Sequence, residues 1–195
     1  MYNKILDLFH DMYSLYYCIN VVFFTFYLIN DNIVNVKVFK NIYDYSNNYF
    51  FTSIILNSFQ KHYLYVIHHV LTLLNLHIIY YYNNIILVKF ANTWLLAEIS
   101  TLFLSLSKII KFYMVNKKKK KILNKLKTVS DFCFVISFFS IRMFYILPYT
   151  FNLIYNNKFD NISDAFIIYL SSFIGIIMNI YWSWKIIARI KKKYD

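Results

Sequence analysis

Two stretches, YVIHHVLTLLN at residues 65–75 and ANTWLLAEISTLFL at residues 91–104, decide how the chain is to be read. Both are apolar enough to lie in hydrocarbon. Yet the first carries the pair His68 and His69, and the second carries Glu98, the only glutamate of the sequence. Ionisable groups at membrane depth are expensive and make a functional site the default hypothesis. The stretches read as the two arms of a helical hairpin from His62 to Ser107, turned at Asn83 and Asn84, because asparagine tolerates turn conformations.

The rest of the chain suits such a hairpin. With 195 residues, 59% hydrophobic content, a single Gly, a single Pro and a mean hydropathy of +0.45, it is too apolar for a soluble domain of its size. A membrane β-barrel would need short alternating strands separated by turn residues, and neither pattern is present. The predicted fold class is all-α, a polytopic membrane protein of about six transmembrane helices. The expected spans are Met12 to Ile29, a short one from Tyr49 to Phe59 after a polar segment from Asn30 to Asn48, His62 to Tyr82, Ile85 to Lys108, Thr128 to Tyr149 and Asp164 to Ile187. Pro148 falls near the end of the fifth, where helix disruption is tolerable. This divides the chain into an N-terminal segment 1–11, a transmembrane domain 12–187 with a basic loop 111–127, and a basic tail 188–195. Acids precede the first span and no small-residue cleavage site follows it, so it reads as an uncleaved anchor.

The net charge of +12 is concentrated between and after the spans. That placement points to topology and anionic lipid head groups, with membrane lipids and not nucleic acid as partners. An even number of spans puts both termini on one face. The Lys117 to Lys121 and Lys191 to Lys193 clusters, with Lys4 and Lys61, share that face, which should be cytosolic. The opposite loops hold Lys37, Lys40 and Lys158, offset by Asp31, Asp44, Asp160 and Asp164. Cys18 and Cys133 form no metal-ligand spacing and imply no disulfide framework, so no metal site is expected. The final Lys-Lys-Tyr-Asp resembles the dilysine retrieval signal of endoplasmic-reticulum membrane proteins; an ordinary positive flank is the other reading.

Depth and facing can be estimated from helix geometry. His69 lies roughly 10 Å from the cytosolic end of its span and Glu98 roughly 20 Å from the outer end of the next, which are similar levels, and Asn179 comes to the same level. His68, Thr72 and Asn75 share one helix face, as do Trp94, Glu98 and Thr101 with Ser105 continuing the stripe. The plainer alternative is a structural polar layer that hydrogen-bonds helix to helix. In that alternative Arg142 snorkels or satisfies backbone freed near Pro148, Lys89 and Lys108 are interface anchors, and Trp182 and Trp184 are belt aromatics. Bis-histidine haem ligation, using His68, His69 or His77 with His10 or His62, lacks an evident facing pair.

Five ordered stretches resemble the TLC-domain family, the membrane family that includes the ceramide synthases and the TRAM-type translocon proteins. They are LFHD, YVIHH with Thr72 following, ANTWLLAEIST, FFSIRMFYILPY and NIYWSWKI, spanning residues 8 to 187. The pattern is nearest to the branch outside the classical ceramide synthases. Glu98, Ser100 and Thr101 match it, as do Phe138, Phe139, Arg142, Pro148, Asn179, Trp182 and Lys185. Leu102 stands where that branch has proline, and Ser105 and Ser107 where it has Asn and Arg. The paired aspartates of ceramide synthases are missing, since no aspartate lies between Asp44 and Asp131.

The resemblance implies helices enclosing a lipid-accessible cavity and a role in lipid homeostasis. If the chain is an enzyme of the ceramide-synthase type, it transfers an acyl group to an amine with acyl-CoA as co-substrate and no resident cofactor. His68 or His69 is then the general base and Glu98 the orienting carboxylate, with Thr72, Asn92, Ser100, Thr101, Arg142 and Asn179 as substrate-binding residues. If it is not, the cavity serves a lipid sensor, transport or trafficking protein. Either reading admits a homo-oligomer or other membrane proteins as partners.

Overall fold

The computed structural model describes residues 2–30, 36–60, 62–82, 85–114, 120–156 and 162–194, and the regular structure among them is all helical. Helix α1 is Tyr2–Asn30, α2 is Val36–Phe59, α3 is Tyr63–Tyr82, α4 is Ile85–Leu95 and α5 is Glu98–Met114. Then α6 (Lys120–Ser137) passes through a π-helical stretch (Phe138–Ile146) into α7 (Leu147–Asn156), and α8 is Ile162–Tyr194. Only a turn at Leu96 and Ala97 separates α4 from α5, so the described elements form six rods. Those over Tyr63–Tyr81, Lys121–Asn156 and Ala165–Lys192 are long and apolar enough to cross a bilayer by length and composition.

The faces of the helices are inverted relative to a soluble bundle. In α1 the buried face is Asp11, Ser14, Tyr17, Cys18, Val21 and Thr25, while Phe9, Met12, Tyr16, Ile19 and Phe23 point outward. Likewise α8 buries Ser172, Asn179 and Ser183 and exposes Phe166, Phe173, Ile177 and Ile180. In water the apolar stripe turns inward; in hydrocarbon outward apolar groups cost nothing, and inward polar groups link helix to helix. A continuous apolar core still joins the rods, with Val21 of α1, Ile42 and Phe50 of α2, Ile79 of α3, Val88 of α4 and Ile168 of α8 all fully buried.

Several of the expected boundaries move: α1 takes in the N-terminal segment from Tyr2, and α5 to Met114 and α6 from Lys120 take up both ends of the basic loop 111–127. The polar segment before Tyr49 is not a loop: α2 begins at Val36 and its 24 residues reach about 36 Å. Two of its hydroxyls are used between helices, while Lys40, Asn41, Asp44, Asn47 and Asn48 stay exposed on the other face. Tyr17 donates to Ser46 at 3.1 Å, and Tyr43 meets His77 at 2.8 Å. The fourth span is broken into α4 and α5 and is not one helix from Ile85 to Lys108. The fifth runs on past Pro148 to Asn156. Proline offers no N–H and its ring crowds the turn before it, and the backbone ahead of Pro148 takes the wider π winding, a recognised way for a helix to absorb such a defect. Finally, α8 continues to Tyr194, so the basic tail is the last turns of that helix and not a separate segment. The Asn83-Asn84 turn, Lys61, Lys117, Asp31, Lys158 and Asp160 lie outside the described residues.

Candidate functional site

Arg142 is the fixed point of the interior. It sits in the π-helical stretch with Phe138 and Ile146 on one buried face, and is 7% exposed. Its Nε donates to Ser100 Oγ at 3.0 Å, Nη1 to Asn179 Oδ1 at 3.4 Å, and Nη2 to the Ala97 carbonyl at 3.1 Å and Thr101 Oγ1 at 3.3 Å. The guanidinium also lies 5.2 Å from the Phe138 ring centre and 5.4 Å from that of Trp182. A buried cation is tolerable only when its donors are used. Here neutral acceptors from α5 and α8 and two aromatic faces share that work.

The break between α4 and α5 is what supplies those acceptors. Leu96 and Ala97 close shortened i to i−3 hydrogen bonds onto Thr93 and Trp94, and Ile99 and Ser100 repeat the pattern onto Leu96 and Ala97. The carbonyl end of one half-helix therefore faces Arg142, and Glu98 opens the first turn of the next, the favourable ends for a cation and an acid respectively. Discontinuous helices serve membrane proteins in this way, by exposing backbone where a cavity or a buried partner can use it. Arg142 does satisfy freed backbone, but that of the neighbouring rod and not that near Pro148.

Beside this arrangement lies a cavity of about 100 Å³ between α3, α4, α5, the π stretch and α8. One end is polar, with His68, Glu98, Arg142, Asn179 and Trp182; the other is formed mainly by Leu76, Ile79 and Phe90, with Ser171 donating to Asn75 Oδ1 there at 2.7 Å. His68 meets Trp182 edge to face, with ring centres 5.1 Å apart and planes at 87°. The Cys18 thiol, from α1, donates to Glu98 Oε2 at 3.5 Å. Among the described residues no ion pair within 4.0 Å joins Arg142 to Glu98. The carboxylate thus has the Cys18 thiol and the Thr101 hydroxyl on the protein side and the hollow on the other.

With that geometry in place, comparison with known families is decisive: the TLC-domain model matches residues 1–188, nearly the whole chain. The chain belongs to the TLC-domain family. It is a multi-pass membrane protein of a family associated with lipid metabolism. No curated protein and no solved structure matches it.

Within this TLC domain the expected site residues separate into three groups. His68, Thr72, Glu98, Arg142 and Asn179 line the cavity, with Thr72 also donating to the His68 carbonyl at 2.8 Å. Ser100 and Thr101 lie behind it and hold Arg142. His69 and Asn92 are elsewhere. The His69 ring is buried toward α2, 5.9 Å from Tyr49 and 5.3 Å from Phe50 between ring centres, and its Nδ1 has no hydrogen-bond partner among the described residues. Asn92 is buried in α4 away from the cavity wall. Adjacent residues on a helix point about 100° apart, and here that rotation turns His68 to the hollow and His69 to α2.

Other residues of this site were not among those expected. Trp182 is a wall of the cavity and not a belt aromatic, whereas Trp184 is 64% exposed. Lys108 pairs with Asp11 at 3.3 Å, so this anchor also ties α5 to α1. Trp94 was placed on the stripe of Glu98 but not named as a site residue, and Cys18 and Gly175 carried no motif. The one signal available was that Gly175 is the only glycine of the chain.

Proposed function

We propose that the protein acts in lipid homeostasis by taking the polar end of a membrane lipid into the cavity beside His68, and that it transfers an acyl group from acyl-CoA to a long-chain amine there. The observation that carries this reading is the presence of an imidazole and a carboxylate from different helices, His68 and Glu98, in the wall of one hollow. In the reaction the amine nitrogen attacks the thioester carbonyl, the C–N bond forms as the C–S bond breaks, and the amine proton passes to His68 and on to the departing thiolate. Glu98 orients the amine or the imidazole across the hollow. Arg142 supplies a fixed positive field to the developing oxyanion, and Asn179, whose Oδ1 is engaged by Arg142, keeps its amide N–H groups as donors.

A second reading, a non-enzymatic lipid sensor or carrier, is favoured by two features. No hydrogen bond joins His68 to Glu98 among the described residues. The cavity, about 100 Å³, is also smaller than the roughly 300 Å³ at which small-molecule pockets begin. Labelled acyl-CoA and a long-chain base supplied to purified protein in nanodiscs separate the two. Appearance of the labelled amide, lost in His68→Ala and retained in His69→Ala, supports transfer. Its absence, with the long-chain base still retained by the wild type, leaves the carrier. Residence in the endoplasmic reticulum with both termini cytosolic is part of the proposal; an unchanged location after masking Lys192 and Lys193 with a C-terminal tag would remove the retrieval signal as its cause.

A further inference from the structure

Gly175 lies in the middle of α8, where glycine is less favourable than alanine by about 1 kcal/mol. A packing reason stands opposite it. A Cβ built on Gly175 would run into the six-membered ring of the Trp94 indole, meeting Cη2, Cζ3 and Cζ2 together. The glycine is there to let that ring approach the backbone of α8. The indole is held from other sides as well: its Nε1 donates to Thr150 Oγ1 of α7 at 3.2 Å, and the Phe90 ring lies 5.9 Å away.

Both residues line the cavity, and both occupy the same level of it. Trp94 precedes Glu98 by four positions and Gly175 precedes Asn179 by four, so each stands one turn, about 6 Å, from the polar end. Beyond them the cavity wall is mainly Leu76, Ile79 and Phe90, with the hydrogen-bonded pair Asn75 and Ser171 among them. The indole therefore stands in the wall between the polar end and the mainly apolar one.

We infer that Trp94, seated on Gly175, is the waist of the cavity and sets how far the aliphatic chain of a bound lipid reaches past the polar end. This rests on the lipid-binding reading above and adds the determinant of chain length. Shortening Trp94 opens the apolar end; adding a methyl at position 175 pushes the indole into the hollow.

The test uses the full chain in nanodiscs and a graded series of straight-chain alkylamines, each with a photoreactive group at the end of its chain. In Trp94→Ala the labelling of the longest probes relative to the shortest should rise about tenfold, the gain from burying roughly two more methylenes. Gly175→Ala should shift the preference to shorter probes in the wild-type background and leave it within about twofold in the Trp94→Ala background, because the clash is then gone. Trp94→Phe, which keeps a ring but loses the bond to Thr150, should keep the preference closer to wild type than Trp94→Ala does. An unchanged preference in a folded Trp94→Ala protein that still labels overturns the waist and leaves the lipid reading intact. Failure of every probe to label the wild type sinks the lipid reading and the waist with it.

Discussion

Between α1, α2 and α5 lies a polar layer made of the same residue types as the cavity wall, and there the groups find one another. His10 meets Ser53 at 2.8 Å, Asn57 reaches Ser53 Oγ at 3.0 Å, Ser14 meets Tyr49 at 3.0 Å, and Ser105 donates to Ser14 at 3.1 Å. On the cavity side the described contacts of His68 are to rings, and Glu98 accepts from the Cys18 thiol and the Thr101 hydroxyl of its own helix, with no partner from α3 or α8 among the described residues. Both layers hold a histidine and an acid, Asp11 in the first and Glu98 in the second, and both are buried between helices. The lesson is that residue type and depth do not separate helix-linking polar groups from a site. Saturation does, since a fully paired layer gains nothing from a ligand and an underpaired one does.

That contrast can be broken at its strongest point first. Arg142→Met removes four hydrogen bonds and leaves Ser100, Asn179 and the Ala97 carbonyl short of a donor. At about 1 kcal/mol for each interhelical bond, the loss should be roughly 3 kcal/mol or more, the largest of any single change considered. Thermal unfolding in detergent reads it, and a melting temperature equal to wild type would mean that Arg142 does not hold the broken rod to its neighbours.

Glu98→Gln comes next and tests the underpaired side. The amide has the same shape and its oxygen can still accept from Cys18 and Thr101, so stability should change by less than about 1 kcal/mol while the lipid signature of expressing cells reverts to that of the null. A stability loss as large as that of Arg142→Met would place Glu98 in the structural layer instead.

Tyr49→Phe sharpens the other side of the comparison. It deletes the hydroxyl that meets Ser14 and should cost about 1 kcal/mol with no change in lipid profile. A changed profile would join the two layers into one functional unit. The smallest effect belongs to Lys127→Ala, which removes a partly exposed pair with Asp131 one turn away; the same unfolding measurement should move by under about 0.5 kcal/mol, because such pairs are screened by solvent.

Several of these features could be read directly from residues. The spacing of His68, Thr72 and Asn75 put them on one face, and all three line the cavity. Trp94 and Glu98 also shared a predicted stripe and line it together, but Thr101 and Ser105, extrapolated from the same stripe, do not. Thr101 turns to Arg142 and Ser105 to Ser14 of α1. The helical period was interrupted at Leu96 and Ala97, where neither glycine nor proline announced a break. What makes the break stable is Arg142, 45 positions away from the Ala97 carbonyl it serves, and no local pattern can report a partner at that distance.

By itself the sequence determined that the chain is a helical membrane protein of the TLC-domain family and that an imidazole and an acid share one level of it, because apolar length, helical period and ordered motifs are properties of neighbours along the chain. Which histidine faces the hollow, where the fourth rod parts, and why the one glycine sits against a tryptophan were decided only by tertiary structure. Those outcomes depend on rotation and contact between helices far apart in sequence, where burial selects the face and leaves the composition unchanged.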